Sequence, residues 1–239
     1  MAEPTCHTLV LLPTYNERPT LRALVEQILA IYPVHICIID DNSPDGTGEL
    51  ARELAADNPR IDVLHRARKE GLGRAYIAGF RFALERNFER IVQMDADFSH
   101  SPQDLPHLIH LTDRYDMAIG SRWIPGGGFE RWPWVRQAIS RLGSTYARML
   151  LSMPIYDVTS GFKCIRRSVL EALPLGSLQS SGYVFQIEVT HRALLAGFSI
   201  TETPIVFTER QSGESKMSKR ILVEAALRVP LLRLAETNP

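Results

Sequence analysis

The chain begins with a short apolar run, HTLVLLP (7–13), stopped by Pro13. A run that brief, closed by proline, predicts a buried strand. The period then changes. In RPTLRALVEQILAIY (18–32), Leu21, Leu24, Val25, Ile28, Leu29 and Ile31 recur at helical spacing behind Pro19, a residue suited to a helix's first turn. The two patterns go on alternating. Strand-like runs fall at 34–41, 61–66, 90–97 and 116–122, and helical ones at 45–58, 71–87 and 101–113. Thr47 is the expected N-cap of the second helix and Ser101, ahead of Pro102, that of the fourth. Such alternation with short connections predicts an α/β fold: a mostly parallel sheet, helices on both faces and right-handed crossovers.

Ligands in such sheets sit beyond the carboxyl ends of the strands. The polar stretches PTYNE, DDNSPDG, HRARKEG, DADFSH and GSR each follow a predicted strand, so they are expected to converge on one rim. After residue 122 the rhythm breaks. WIPGGGFERWPWVR (123–136) predicts a loop with aromatic anchors, 137–152 a helix with arginines on its polar side, and 157–173 a turn, a strand and a helix. A helix at 183–197 and a late strand at 199–209 follow. Residues 218–234 read as an amphipathic helix interrupted at Pro230. The parse is one domain, 1–217, with a C-terminal amphipathic segment, 218–239.

Composition narrows the function classes. Lys+Arg and Asp+Glu balance at 27 each over 239 residues, so no overall charge points to nucleic acid. Cys6, Cys37 and Cys164 are widely spread, with neither metal spacing nor a disulfide framework, which suits a reducing cytoplasm. The N-terminus lacks the basic region of a signal peptide, and no apolar run reaches membrane-spanning length. No nucleophilic-hydrolase motif is present, and the histidines do not cluster.

The candidate chemistry is acidic. Asp95 and Asp97 end the fourth strand-like run, IVQMDADFSH. Alternate side chains on a strand point the same way, so the two carboxylates share a site where they share a proton or hold a hard divalent cation. The bland reading makes one a helix cap and the other solvated. Asp40 and Asp41 form a second acid pair, with Asp45 in the turn that follows. One of the pair suits a nucleotide's hydroxyls and Asp45 suits the turn. Tyr15 and Glu17 either cover and hydrogen-bond a base or belong to the next helix's first turn. RKEGLGRAY (68–76) departs from both phosphate-loop fingerprints and reads as a glycine-capped helix start. Among the later basic residues, Arg122 and Lys216 best suit phosphate.

LLPTYNE, IIDDNSPDGT, GLGRAYIAGF, MDADFSHSP, GSR, SGFKCIRR, GYVFQIE and GESKM together closely resemble the dolichyl- or polyprenyl-phosphate mannose synthases. These are inverting glycosyltransferases of family 2 with the Rossmann-like GT-A fold and a D-x-D motif. The resemblance runs from about Leu9 to Met217. It implies transfer of mannose from GDP-mannose to a polyprenyl or dolichyl phosphate. Pro13, Tyr15, Glu17, Ile39 and Asp41 would line the guanosine pocket, and Asp95 and Asp97 would hold Mg2+ or Mn2+ on the pyrophosphate beside Ala96. Arg122 would face acceptor phosphate or sugar, with Arg136 as a second acceptor contact. Arg210 and Lys216 would close over the donor phosphates. Ser99 stands where some members carry a metal-reaching glutamine, which puts a third protein ligand in doubt. The nearest rival is another donor, such as UDP-glucose; a different class is a non-catalytic nucleotide-sugar-binding scaffold. Residues 218–239 either lie on a membrane surface or pack on their own domain. Peripheral attachment to the cytoplasmic face of a membrane, with room for a membrane-embedded partner protein, is the implied location.

Overall fold

The computed structural model describes residues 7–178, 182–209 and 228–233. The predicted alternation is present: β1 (Thr8–Thr14), α1 (Arg18–Ile31), β2 (His35–Asp40), α2 (Thr47–Asp57), β3 (Ile61–His65), α3 (Leu72–Glu85), β4 (Arg90–Gln93), α4 (Leu105–Leu111) and β5 (Met117–Ser121). There follow β6 (Gly128–Glu130), α5 (Trp134–Leu150), β7 (Lys163–Arg166), α6 (Arg167–Ala172), α7 (Gly182–Leu195), β8 (Ile200–Pro204) and β9 (Val206–Thr208).

The main sheet runs β3-β2-β1-β4-β7-β5-β8. Pairings are parallel except at β7, which is antiparallel to both β4 and β5. Strand alternation sorts the apolar side chains into two cores. Leu9, Leu11, Ile39 and Ile91 face α3 and α7, while Val10, Leu12, Ile38 and Val92 face α1, α2 and α4. This is the GT-A arrangement, with helices on both faces as expected.

Several local expectations are corrected. The strand expected at 90–97 stops at Gln93, so strand alternation does not orient Asp95 and Asp97; the following loop does, turning through Phe98 at φ 62°. Thr47 is not the cap of α2 but its first residue. Gly46, at φ 85°, swings the chain so that the Asp45 carboxylate accepts from the Thr47 N–H (3.0 Å) and hydroxyl (2.5 Å). Ser101 does cap, accepting from Gln103 N–H at 3.2 Å, but it caps a short 3-10 turn, Pro102–Asp104, that leads into α4, and not α4 itself. The loop expected over 123–136 holds β6 and the first turn of α5. The late strand splits after Pro204: β8 stays in the main sheet and β9 pairs with β6. Proline cannot donate to a ladder, which suits a strand's departure point. Within the segment set apart by its amphipathicity, residues 228–233 are helical and Val229 is buried in the α3/α7 core.

Lys163 is fully buried under the site. Its ammonium donates to the Gln186 carbonyl and the Thr190 hydroxyl, both at 2.8 Å. Burial lowers its pKa to about 7, with Asp157 pulling the other way. A lysine with a depressed folded pKa leaves the unfolded chain binding more protons between the two values, so stability rises with pH there. Between pH 7 and 8, below the midpoint of free thiol titration, Lys163 is expected to contribute a rise of about 1 kcal/mol. Urea unfolding at both pH values should show that slope in the parent and lose it in Lys163→Met; equal slopes would contradict it.

Candidate active site

The rim loops enclose a cavity of about 330 Å³. β1 and its following turn supply Pro13, Tyr15 and Glu17; the end of β2 supplies Asp41; the loop before α3 supplies Lys69 and Gly71; the loop after β4 supplies Asp95, Ala96, Asp97 and His100. Arg122, Trp132, Thr159, Gly161, Gln186 and Phe207 line the opposite part.

At the β2 end the two acids divide their work. Asp40 closes its own turn, accepting from the Ser43 hydroxyl at 2.5 Å. Asp41 reaches the cavity and ion-pairs with Arg66. Burial leaves the Asp41 carboxyl above its ordinary pKa despite that guanidinium. Lys69 Nζ lies 3.7 Å from the Tyr15 ring centroid, a cation–π contact. The RKEGLGRAY segment therefore borders the cavity, while Gly71, at the N-cap position of α3, fills the expected capping role.

The D-x-D loop is pinned from behind. Ser99 N–H donates to Asp97 Oδ1 at 3.0 Å, and Asp95 N–H donates to His100 Nδ1 at 3.2 Å. His100 is buried, stacked on Phe162 at 5.1 Å. Burial lowers its pKa against the pull of Asp95 and Asp97, in keeping with a neutral ring whose Nδ1 accepts. Among the described residues no group of three His, Cys, Asp or Glu side chains converges for a metal. Two carboxylates in a phosphate-sized cavity nevertheless fit Mg2+ or Mn2+, hard cations that complete their shells with substrate phosphates and water. Ser99 is buried, its Oγ has no hydrogen-bond partner among the described residues, and it is not among the lining residues.

Arg122, at the end of β5, carries the buried positive charge. Nε and Nη2 each donate to the Asp157 carboxylate at 2.7 Å, and Nη2 also donates to Thr159 Oγ1 at 2.9 Å. The Arg122 N–H adds a bond to Asp157 at 3.0 Å. Burial opposes both charges, but the fork wins: Asp157 sits below and Arg122 above its ordinary pKa. Nη1 carries none of these bonds. Phe207 and Phe129 lie 5.4 and 5.7 Å from the guanidinium carbon, walling it from water on that side.

Not every expected site residue reaches the cavity. Ile39 is buried in the core, where its Cδ1 lies 2.7 Å from the position a Cβ on Gly79 of α3 would take. Arg136 is on α5, paired with Glu209 at 3.1 Å, and does not line the cavity. Arg210 and Lys216 lie outside the described residues. Asp157, Thr159, Lys69 and Gln186 are additions. Gln186 is fully buried, lines the cavity, and neither amide atom has a hydrogen-bond partner among the described residues. GYVFQIE did flag its segment; the helical pattern alone did not single it out.

Residues 9–173 match the model of glycosyl transferase family 2, and the chain belongs to that family. A polyprenol monophosphomannose synthase of Mycolicibacterium smegmatis is 50% identical over 229 residues, 95% of this chain and 86% of the relative. An undecaprenyl-phosphate mannosyltransferase of Micrococcus luteus is 44% identical over 228 residues, covering 95% and 94%. Among solved structures, glucosyl-3-phosphoglycerate synthase of Mycobacterium tuberculosis with Mn2+, UDP and glucosyl-3-phosphoglycerate superposes at a TM-score of 0.66. It is 18% identical, with 95% of this chain and 78% of that one covered; the likeness is one of fold.

Proposed function

We propose that this chain transfers mannose from GDP-mannose to a polyprenyl phosphate, with inversion and with Mg2+ or Mn2+, at the cytoplasmic face of a membrane. The observation that carries the reading is one cavity joining the Asp95–Asp97 loop to the Asp157-held Arg122. The names of relatives at 50% and 44% identity supply mannose and the polyprenyl phosphate.

The chemistry suits these residues. A phosphate monoester has its second pKa at about 6, so the acceptor is already ionised at neutral pH and needs no general base. His100, the one cavity histidine, is already committed to holding the Asp95 N–H. Tyr15 covers the base, and Glu17 and Asp41 accept hydrogen bonds from the nucleoside. Asp95 and Asp97 hold the cation, which when bound neutralises the pyrophosphate leaving group. Arg122 orients the incoming phosphate against the sugar, so catalysis rests on positioning and charge. The Gln186 amide, which has no partner among the described residues, suits the sugar hydroxyls, because a buried amide left unbonded costs about 1–3 kcal/mol. Arg210 and Lys216 complete the phosphate clamp in this reading, and Arg136 adds an acceptor contact.

The test is transfer of labelled mannose from GDP-mannose to a short polyprenyl phosphate in detergent, with Mg2+, Mn2+ or EDTA. Metal-dependent label in the organic phase is expected. Thermal shift with GDP, UDP and their sugars separates a wrong donor from a missing partner: stabilisation by uridine nucleotides alone overturns the guanine reading, and nucleotide binding without turnover favours the scaffold.

A further inference from the structure

Gln186 combines a pinned main chain with an unpaired side chain. The Lys163 ammonium and the Thr190 hydroxyl both donate to its carbonyl, at 2.8 and 2.9 Å, and its neighbours Phe185 and Ile187 are buried in the core. α7 is therefore fixed at this residue whatever the cavity holds. The side chain is buried and lines the cavity, yet neither Nε2 nor Oε1 has a hydrogen-bond partner among the described residues. Folded proteins seldom leave buried amide atoms unpaired. Held rigidly at a cavity wall, such atoms suit a ligand.

Gly161, two residues before Lys163, marks the ground in front of that amide. A Cβ added to it would stand 3.7 and 3.8 Å from the two Asp95 carboxylate oxygens and 3.8 Å from Gln186 Nε2. A single ligand group at that point would touch both. These are ordinary contact distances, and the residue is not among those with positive φ. Neither packing nor a left-handed backbone excludes a side chain there. What the glycine leaves open is cavity space between the carboxylate and the amide.

We propose that Gln186, with the clearance at Gly161, reads the sugar hydroxyls next to the anomeric carbon and so sets which hexose is transferred. The inference rests on the reading of the cavity as a mannosyl-donor site. The ligand class follows from the amide's two ends. An ionised phosphate only accepts, so it would serve Nε2 and strand Oε1; two neighbouring hydroxyls serve both, one accepting from Nε2 and one donating to Oε1. The position follows from Asp95. With the pyrophosphate on the Asp95–Asp97 cation, the part of the sugar adjoining the phosphate is the part that reaches Gly161. The C2 hydroxyl is the first beyond the anomeric carbon, and its setting alone separates mannose from glucose. A site built to bond a hydroxyl rejects the analogue lacking it far more strongly than an apolar wall does.

The test compares GDP-mannose with its 2-deoxy and 6-deoxy analogues in the full-length parent and in Gln186→Met. Methionine keeps the unbranched shape and loses both hydrogen-bonding ends. Taking the ratio of kcat/KM between donors, and then between proteins, cancels the deoxy donor's own reactivity. The parent's preference for mannose over the 2-deoxy donor is expected to fall by about tenfold to a hundredfold in the variant, and its preference over the 6-deoxy donor to stay within about twofold. Without ligand, Gln186→Met should melt no lower than the parent, because it buries no unpaired amide. Gly161→Ala is the second probe. Its methyl meets no collision in the protein, so the melting temperature should hold while transfer from GDP-mannose falls about tenfold or more. An unchanged 2-deoxy ratio, or a loss confined to the 6-deoxy donor, overturns the inference, and so does a Gly161→Ala variant that transfers like the parent. A Gln186→Met variant that melts earlier also overturns it, because the amide is then bonded within the fold. A parent inert towards GDP-mannose overturns the donor reading and this inference with it, whereas a parent active on mannose and indifferent to the 2-deoxy change overturns this inference alone.

Discussion

Asp97→Ala is expected to lower metal-dependent transfer by about a thousandfold or more, because under the proposed function it removes one of the two carboxylates that would hold the cation neutralising the leaving pyrophosphate. The fold should survive. Asp97 lies in a loop beyond the end of β4, and the bond it accepts from the Ser99 N–H is local. The same variant should lose the part of its GDP-induced thermal shift that depends on added Mg2+ or Mn2+, which separates a lost cation site from a lost nucleotide site. Turnover at the parental rate would sink the assignment of this loop.

The second large effect is on stability. Asp157→Ala strands the Arg122 guanidinium, buried with its counterion gone. Breaking a buried pair from one side costs about 3–5 kcal/mol, and urea unfolding should show a loss of that size. The double variant Arg122→Met with Asp157→Leu removes both charges and should recover most of the stability while transferring no sugar. Stability would thereby separate from catalysis: Asp157 holds Arg122, and Arg122 is the residue that, in the proposed function, meets substrate. A single variant as stable as the parent would show that the pair is not the coupled buried unit its geometry describes. The pH dependence has the matching sign. The Asp157 carboxyl sits below its ordinary pKa, so its contribution is present above the unfolded carboxylate value and is lost as pH falls through the lower folded one.

Much of this was legible in the chain because period and punctuation are local. The strand–helix alternation through Ser121, the rim loops and the acids at 95 and 97 all follow from short-range pattern. The limits came from long-range pairing. Nothing near Asp157 marks it as more than a turn residue, and its partner lies 35 positions away. TETPIVF looks like one strand until Pro204 hands Val206–Thr208 to a strand at 128–130 that glycines and prolines disguise as loop. The start of α5 at Trp134, ahead of the expected 137, was hidden because apolar residues on an outer face read as aromatic anchors of a loop and not as a core-facing stripe. Lys163, in a short run flanked by Phe162 and Cys164, gives no sign that its ammonium will be buried.

The direction of β7 has a consequence for how the molecule is made. β4 and β5 bond to β7 and not to each other, so the sheet stays in two parts until residues 163–166 arrive during synthesis. Until then the facing edges of β4 and β5 are open templates. They can zip together directly, shutting out the strand that must lie between them. Such a closed sheet would place Arg122 beside the D-x-D loop with no Asp157 to neutralise it. The Arg122–Asp157 ion pair therefore also marks the correctly threaded chain: a trapped, misregistered sheet would leave unpaired the buried charge that the native one neutralises.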